Sequence, residues 1–228
     1  MNETIKEKLL QVSDDYTQYH LRRTFYDTLT PRERDKLADD LLRFLNPIVM
    51  AGALLTEDEK VRMLYETLSR CLRYDHSDDT ADTSRLRYTY AGGIANGKAV
   101  CMGIAELYTL LGNALGLEVQ TVIGYGGDPA HKGGLHAWNL VWLRDGSRRI
   151  PYHIDLTWDL ADNAAIRGFR YYLKSDAFMR DHDHTWLEDR YPPCPENRSG
   201  KQIPKIPPAA IQFLSEQFRT LQRGSHKT

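Results

Sequence analysis

The sequence predicts an α+β protein: helices first, then one buried helix, then antiparallel strands. Three observations carry this. Two capping boxes in the N-terminal third each open a run with apolar residues at helical spacing. The texture changes after Tyr88, where three glycines precede a strongly apolar helical stretch. Beyond it, strand-like runs flank Asp145-Gly146, a hairpin dipeptide.

Thr30-Pro31-Arg32-Glu33 is a capping box with Pro at the first helical position. Leu37, Leu41, Leu42 and Leu45 follow at helical spacing, and Pro47 is expected to stop the run. Thr56-Glu57-Asp58-Glu59 opens a second helix with Val61, Leu64, Tyr65, Leu68 and Leu72 on one face. Residues 3–20 also read as helix, and Asp75 to Ser84 as a polar loop. The glycines of Ala91 to Gly97 read as a turn. The next helix carries Ile104, Leu107, Tyr108, Leu111, Ala114 and Leu115, with Gly116 as its C-terminal stop. Leu117–Tyr125, Leu135–Leu143 and Arg149–Trp158 read as strands. Ser175 caps a short helix, proline-rich segments follow near Tyr191–Pro195 and Ile203–Pro208, and residues 209–223 form a last amphipathic helix. The expected division is a helical N-terminal lobe of the same domain over 1–85, a core over 86–195, and an extended segment plus helix over 196–228.

With 30 basic and 31 acidic residues, the net charge of −1 offers no basic face for nucleic acid. The longest apolar stretch, Ile48 to Leu55, is too short to span a bilayer, and the start of the chain has no apolar signal segment. A cytoplasmic location without membrane or nucleic-acid partners is the expectation. Cys71, Cys101 and Cys194 are odd in number and widely spaced, which argues for free thiols. His182, Asp183, His184 and Cys194 fit no standard zinc spacing, so neither metal nor cofactor is expected.

Cys101 stands at the start of the buried helix, where unpaired backbone N–H groups favour a thiolate. If Asp145-Gly146 is a two-residue turn, Arg144 faces Ser147, and eight residues further along His136 faces Asp155. That register sets Pro151 at a hydrogen-bonded position against Leu140; a longer turn or a bulge makes His136 and Asp155 diagonal neighbours instead. A carboxylate on one imidazole nitrogen fixes the tautomer and leaves the other nitrogen for a thiol. For an oxyanion or substrate contact the candidates are Tyr88, Tyr90 and Asn96, upstream of the cysteine, and Trp138, two residues beyond His136 on the same face. His153 shares a face with Asp155 and is a candidate supporting partner.

Gly97-Lys98-Ala99-Val100-Cys101-Met102-Gly103-Ile104-Ala105 resembles the nucleophile motif of bacterial transglutaminase-like proteins. His136-Ala137-Trp138-Asn139 resembles their histidine motif, and Tyr152-His153-Ile154-Asp155-Leu156-Thr157-Trp158-Asp159 their aspartate motif. Phe169–Leu173 and Asp183–Trp186 are similar to the segment that follows. Many relatives carry a polar residue at the position of Met102 and an aromatic one at that of Ile104. The resemblance implies a papain-like fold and acyl transfer through a thioester, with Cys101 as nucleophile, His136 as base and acid, and Asp155 as orienter. The implied substrate is an amide of a protein or peptide. An acyltransferase using the same triad, and a silent binding module that keeps the fold, are the alternatives. The oligomeric state and the choice between water and an amine as acceptor stay open.

Overall fold

The computed structural model describes residues 30–76, 86–127, 134–161, 169–198 and 204–225. The proposed helix over 3–20 and most of the loop after Asp75 lie outside them.

Two helices come first, α1 (Pro31–Gly52) and α2 (Glu57–Cys71). The second is closed at its start by the capping box: Thr56 accepts from the Glu59 N–H, and the Glu59 carboxylate accepts from the Thr56 N–H at 2.8 Å. Pro47 does not end α1, which runs through it to Gly52. A mid-helix proline costs roughly 3 kcal/mol. Phe44 and Ile48 flank it, each 1% exposed, and burial stabilises each by about 1.5–3 kcal/mol. Packing therefore outweighs the break.

Short strands β1 (Arg73–Tyr74) and β2 (Lys98–Ala99) pair in parallel. Between them lies α3 (Tyr90–Asn96), where the sequence suggests a turn. Two of its glycines serve close packing: a Cβ on Gly92 would stand 2.6 Å from the Leu86 carbonyl oxygen, and one on Gly93 2.8 Å from Leu107. Gly97, with φ +65°, is the residue that turns the chain. The cysteine helix α4 (Cys101–Ala114) follows, and Gly116, with φ +76°, reverses the chain after it.

Strands β3 (Glu118–Gly126), β4 (Gly134–Asp145), β5 (Arg148–Ile154) and β6 (His184–Trp186) form an antiparallel sheet in the order β5-β4-β3-β6. The β4–β5 turn is Gly146-Ser147, so Asp145 pairs with Arg148 and Trp142 with Pro151. This register lies two residues from the one with Asp145-Gly146 as the turn. It makes His136 and Asp155 diagonal neighbours on one face. Its cause is readable in Pro151, which now stands at a non-hydrogen-bonded pair, where a missing N–H costs nothing.

The last of the three sequence-read strands ends early. β5 stops at Ile154, and residues Leu156–Ala161 form α5. Asp155 makes that switch by accepting the Trp158 N–H on Oδ1 at 3.1 Å, as a helix-capping carboxylate does. Then come α6 (Asp176–Asp181), capped by Ser175, and α7 (Pro208–Ser225).

One face of the sheet, with Val119, Val141, Leu143 and Tyr152, joins the core of α1, α2, α4 and α7. Phe44 and Phe218 meet edge to face at 4.1 Å between ring centres, and the Cys71 thiol reaches the Ser215 carbonyl. The other face, with Val122, Trp138 and Leu140, packs on Tyr171, Met179, Trp186 and Cys194. This is an α+β fold with a papain-like core, the cysteine helix lying against an antiparallel sheet. Among the described residues, no helix is long and apolar enough to cross a membrane.

Candidate active site

Cys101 opens α4 and is partly exposed. Val100 precedes it in extended conformation and supplies no side-chain cap. Gly103 lets the first turn press against the 87–89 segment: a Cβ there would meet the carbonyl oxygens of Arg87 and Thr89 at 2.6 Å. Cys101 is thereby held in the wall of a cleft of about 440 Å³. Tyr74, Arg87 and Tyr88 line one part of the cleft, and Ile123, Leu135 and His136 another.

His136, near the start of β4, is buried, and its Nε2–H donates to Asp155 Oδ2 at 2.7 Å. The Cys101 side chain helps to raise the His136 pKa, and the two residues line the same cleft. With Nε2 committed to Asp155, Nδ1 is the nitrogen left for sulfur. Burial alone would pull the His136 pKa down. The Asp155 charge, the hydrogen bond to Asp155 and the Cys101 side chain outweigh it and hold the imidazole well above its ordinary range. Asp155 is fully buried, which alone would raise it; His136 and His184 prevail and hold it well below the usual carboxylate range.

His184 is the residue that sequence reasoning missed in this site. It comes from β6, is 0% exposed, and donates from Nε2 to the same Asp155 Oδ2 at 2.9 Å. Its Nδ1–H donates to the His182 carbonyl at 2.8 Å. Trp158 packs over it, ring centres 4.2 Å apart. The sequence signal was the short run of Asp183 to Trp186, read as a segment following the triad motifs and, with His182 and Cys194, set aside as a zinc spacing.

The other sequence candidates divide. Tyr88 lines the cleft with Cys101 and accepts from Arg87 Nη2 at 3.4 Å. Tyr90 begins α3, and its N–H donates to Glu106 at 3.3 Å; its ring packs on the main core. Asn96 is exposed at the end of α3 and is not among the cleft residues. Trp138 is 1% exposed and lies nearly parallel to the His136 ring, 5.6 Å away. It donates to His153 Nδ1 at 2.9 Å, and His153 Nε2–H donates to Asp176 at 2.8 Å. His153 therefore supports the site through Trp138, with no direct bond to Asp155 among those described.

His136, Asp155 and His184 also group within the reach of one metal ion, as do His153, Asp176 and Cys194. Ligands around one tetrahedral ion at about 2.1 Å stand roughly 3.4 Å apart. The separations of 2.7, 2.9 and 2.8 Å here are those of hydrogen bonds.

Comparison with known proteins gives two findings. A family model, the transglutaminase-like superfamily, matches residues 47–153, a stretch that holds Cys101 and His136 and ends two residues before Asp155. A crystal structure described as that of a TGase is 20% identical over 64% of this chain and 38% of that one, with a TM-score of 0.43. The chain thus spans well under half of that protein's length, and likeness at this level decides nothing about activity. No curated protein matches the chain. Residues 47–153, which hold the cysteine helix and the strand that carries His136, are thus similar to the transglutaminase-like superfamily.

Proposed function

We propose that the protein is a cysteine-dependent acyl-transfer enzyme acting on an amide of a protein or peptide. One observation carries this reading: His136 lines one cleft with Cys101 and is bonded on its other side to the buried Asp155 carboxylate. In this reading His136 takes the thiol proton on Nδ1 and the sulfur attacks the amide carbonyl carbon. The oxyanion is met by backbone N–H groups at the start of α4, with the Tyr88 hydroxyl as the side-chain candidate on the cleft wall. The C–N bond then breaks, nitrogen takes the Nδ1 proton from His136, and the amine leaves. Water or a second amine, its proton passing to His136, resolves the thioester and restores the thiol. In this reading the acceptor depends on how dry the cleft stays when occupied.

The test is acyl-enzyme trapping. The full chain is mixed with a peptide anilide or a peptide nitrophenyl ester, quenched in acid and read by intact mass. The expected result is one acyl group on Cys101, absent in Cys101→Ala and nearly absent in His136→Ala. Acylation of Cys101→Ala to the wild-type level would overturn the reading.

A further inference from the structure

Asp155 is shared. One oxygen, Oδ2, accepts from His136 at 2.7 Å and from His184 at 2.9 Å, while Oδ1 accepts from the Trp158 N–H at 3.1 Å. A carboxylate that served only to orient His136 would need one of these bonds. His184 is not among the cleft-lining residues described, and its ring centre lies 5.5 Å from that of His136, which is. It is held in place from behind by the His182 carbonyl, and the turn that delivers it is strained, since Asp183 has φ +59°. A strained residue, a fully buried imidazole and a doubly used oxygen coincide at the group that sets the basicity of His136.

We infer that His184 is a positioning residue that divides the Asp155 hydrogen-bonding capacity, so that His136 is held as an imidazolium but not so tightly that it fails as an acid. The inference rests on the proposed acyl transfer. In the acylation step the imidazolium must give its Nδ1 proton to the departing nitrogen as the C–N bond breaks. The stronger the pull of Asp155 on the ring, the poorer the acid. An amine is a poor leaving group and needs that proton; a nitrophenolate leaves without it. His184 is therefore required for amides much more than for activated esters.

Among the described residues, the groups that face His136 come from four elements and one junction. Cys101 faces it from α4, Asp155 and Trp158 from the β5–α5 junction, His184 from β6, Trp138 from its own strand, and Gly126 lies against its ring from β3. Asp155 is the acceptor on which His136 and His184 converge, and His184 takes part of its capacity.

The experiment uses the full chain with His184→Ala, His184→Leu and His184→Gln. Leu fills the space without donating, and covers the case in which the Ala cavity unfolds the protein. Gln offers an N–H at the same reach. Single-turnover acylation is measured with a peptide anilide and a nitrophenyl ester of the same acyl group, and the His136 titration is followed by proton NMR. In Ala or Leu the anilide rate should fall tenfold or more and the ester rate less than threefold, with KM unchanged. The His136 titration should move up by about one pH unit, the scale of a lost charge-assisted hydrogen bond. Gln should restore the anilide rate to within about threefold. Equal losses for anilide and ester, or a His136 titration unmoved in both Ala and Leu, would overturn the inference. A wild-type chain that acylates from neither substrate would overturn the proposed function instead, and the titration would still decide the role of His184.

Discussion

Asp155→Asn tests the site at its most constrained atom. The carboxylate oxygens have three donors to satisfy, two imidazole N–H groups on Oδ2 and a backbone N–H on Oδ1. An asparagine has one oxygen and one NH₂. With its oxygen toward the imidazoles, the NH₂ faces the Trp158 N–H; with the oxygen toward Trp158, the NH₂ faces both rings. Either way two donors meet, and the second way turns His136 to the wrong tautomer. The charge is lost as well. At about 4 Å between charge centres and an effective dielectric constant near 20, that attraction is about 4 kcal/mol, or about 3 pH units in the His136 titration. Part of it returns through relaxation and the remaining dipole, so a fall of one to two units is expected. The acylation rate should drop by about 10³ to 10⁴, the loss seen when a buried orienting carboxylate becomes an amide. A donor–donor contact in the core should also lower stability by about 1–3 kcal/mol. Single-turnover acylation by stopped-flow, the His136 titration and thermal melting measure the three effects separately. Acylation within tenfold of wild type in a folded Asp155→Asn protein would refute the reasoning, because the carboxylate charge would then not be needed.

Iodoacetamide at neutral pH should label Cys101 at least tenfold faster than Cys71 or Cys194, read by peptide mass; the latter two are buried and burial pushes both thiols up. Gly103→Ala should lower stability by about 1–3 kcal/mol in denaturant titration, since its Cβ would press on two carbonyl oxygens, and should slow acylation by displacing Cys101. Burial raises the Glu106 pKa from 4.5 to about 7, so the folded state holds a proton there that the unfolded state has lost. Stability from this group is full below pH 4.5 and is lost as pH rises to about 7. Glu106→Gln should therefore flatten the fall in melting temperature between pH 5 and pH 8, and an unchanged slope would assign that fall to other groups.

Local signals were legible because they depend on neighbours in sequence. The Thr56 capping box, the glycine reversal at Gly116 and the cysteine at a helix start are of this kind. The triad candidates were legible because His136 lies on β4 and Asp155 directly follows β5, the two strands being joined by one turn. His184 was not, because it reaches Asp155 across 29 residues and through β6, which joins the sheet on the far side of β3. On paper His182 and His184 look like alternate residues of one strand. In the fold His182 ends α6, Asp183 takes a left-handed conformation, and only His184 enters β6. Pro47 misled for the opposite reason: the local rule is sound, but the burial of Phe44 and Ile48 overrides it.

Pro151 makes the β4–β5 alignment a ratchet with a coarse pitch. Sliding β5 by one residue would place a ring without an N–H where β4 needs a donor, and would carry Tyr152 and His153 to opposite sides of the sheet. The alignment is thus enforced inside the strands, away from the turn that first suggests it. Gly146-Ser147 lies at the other end of β4 from His136, on the order of 30 Å along the strand at ~3.4 Å per residue. That tip should accept a grafted loop, an epitope or a fluorophore-bearing insert without shifting Cys101, His136 or Asp155, giving a handle on the protein that leaves its cleft untouched.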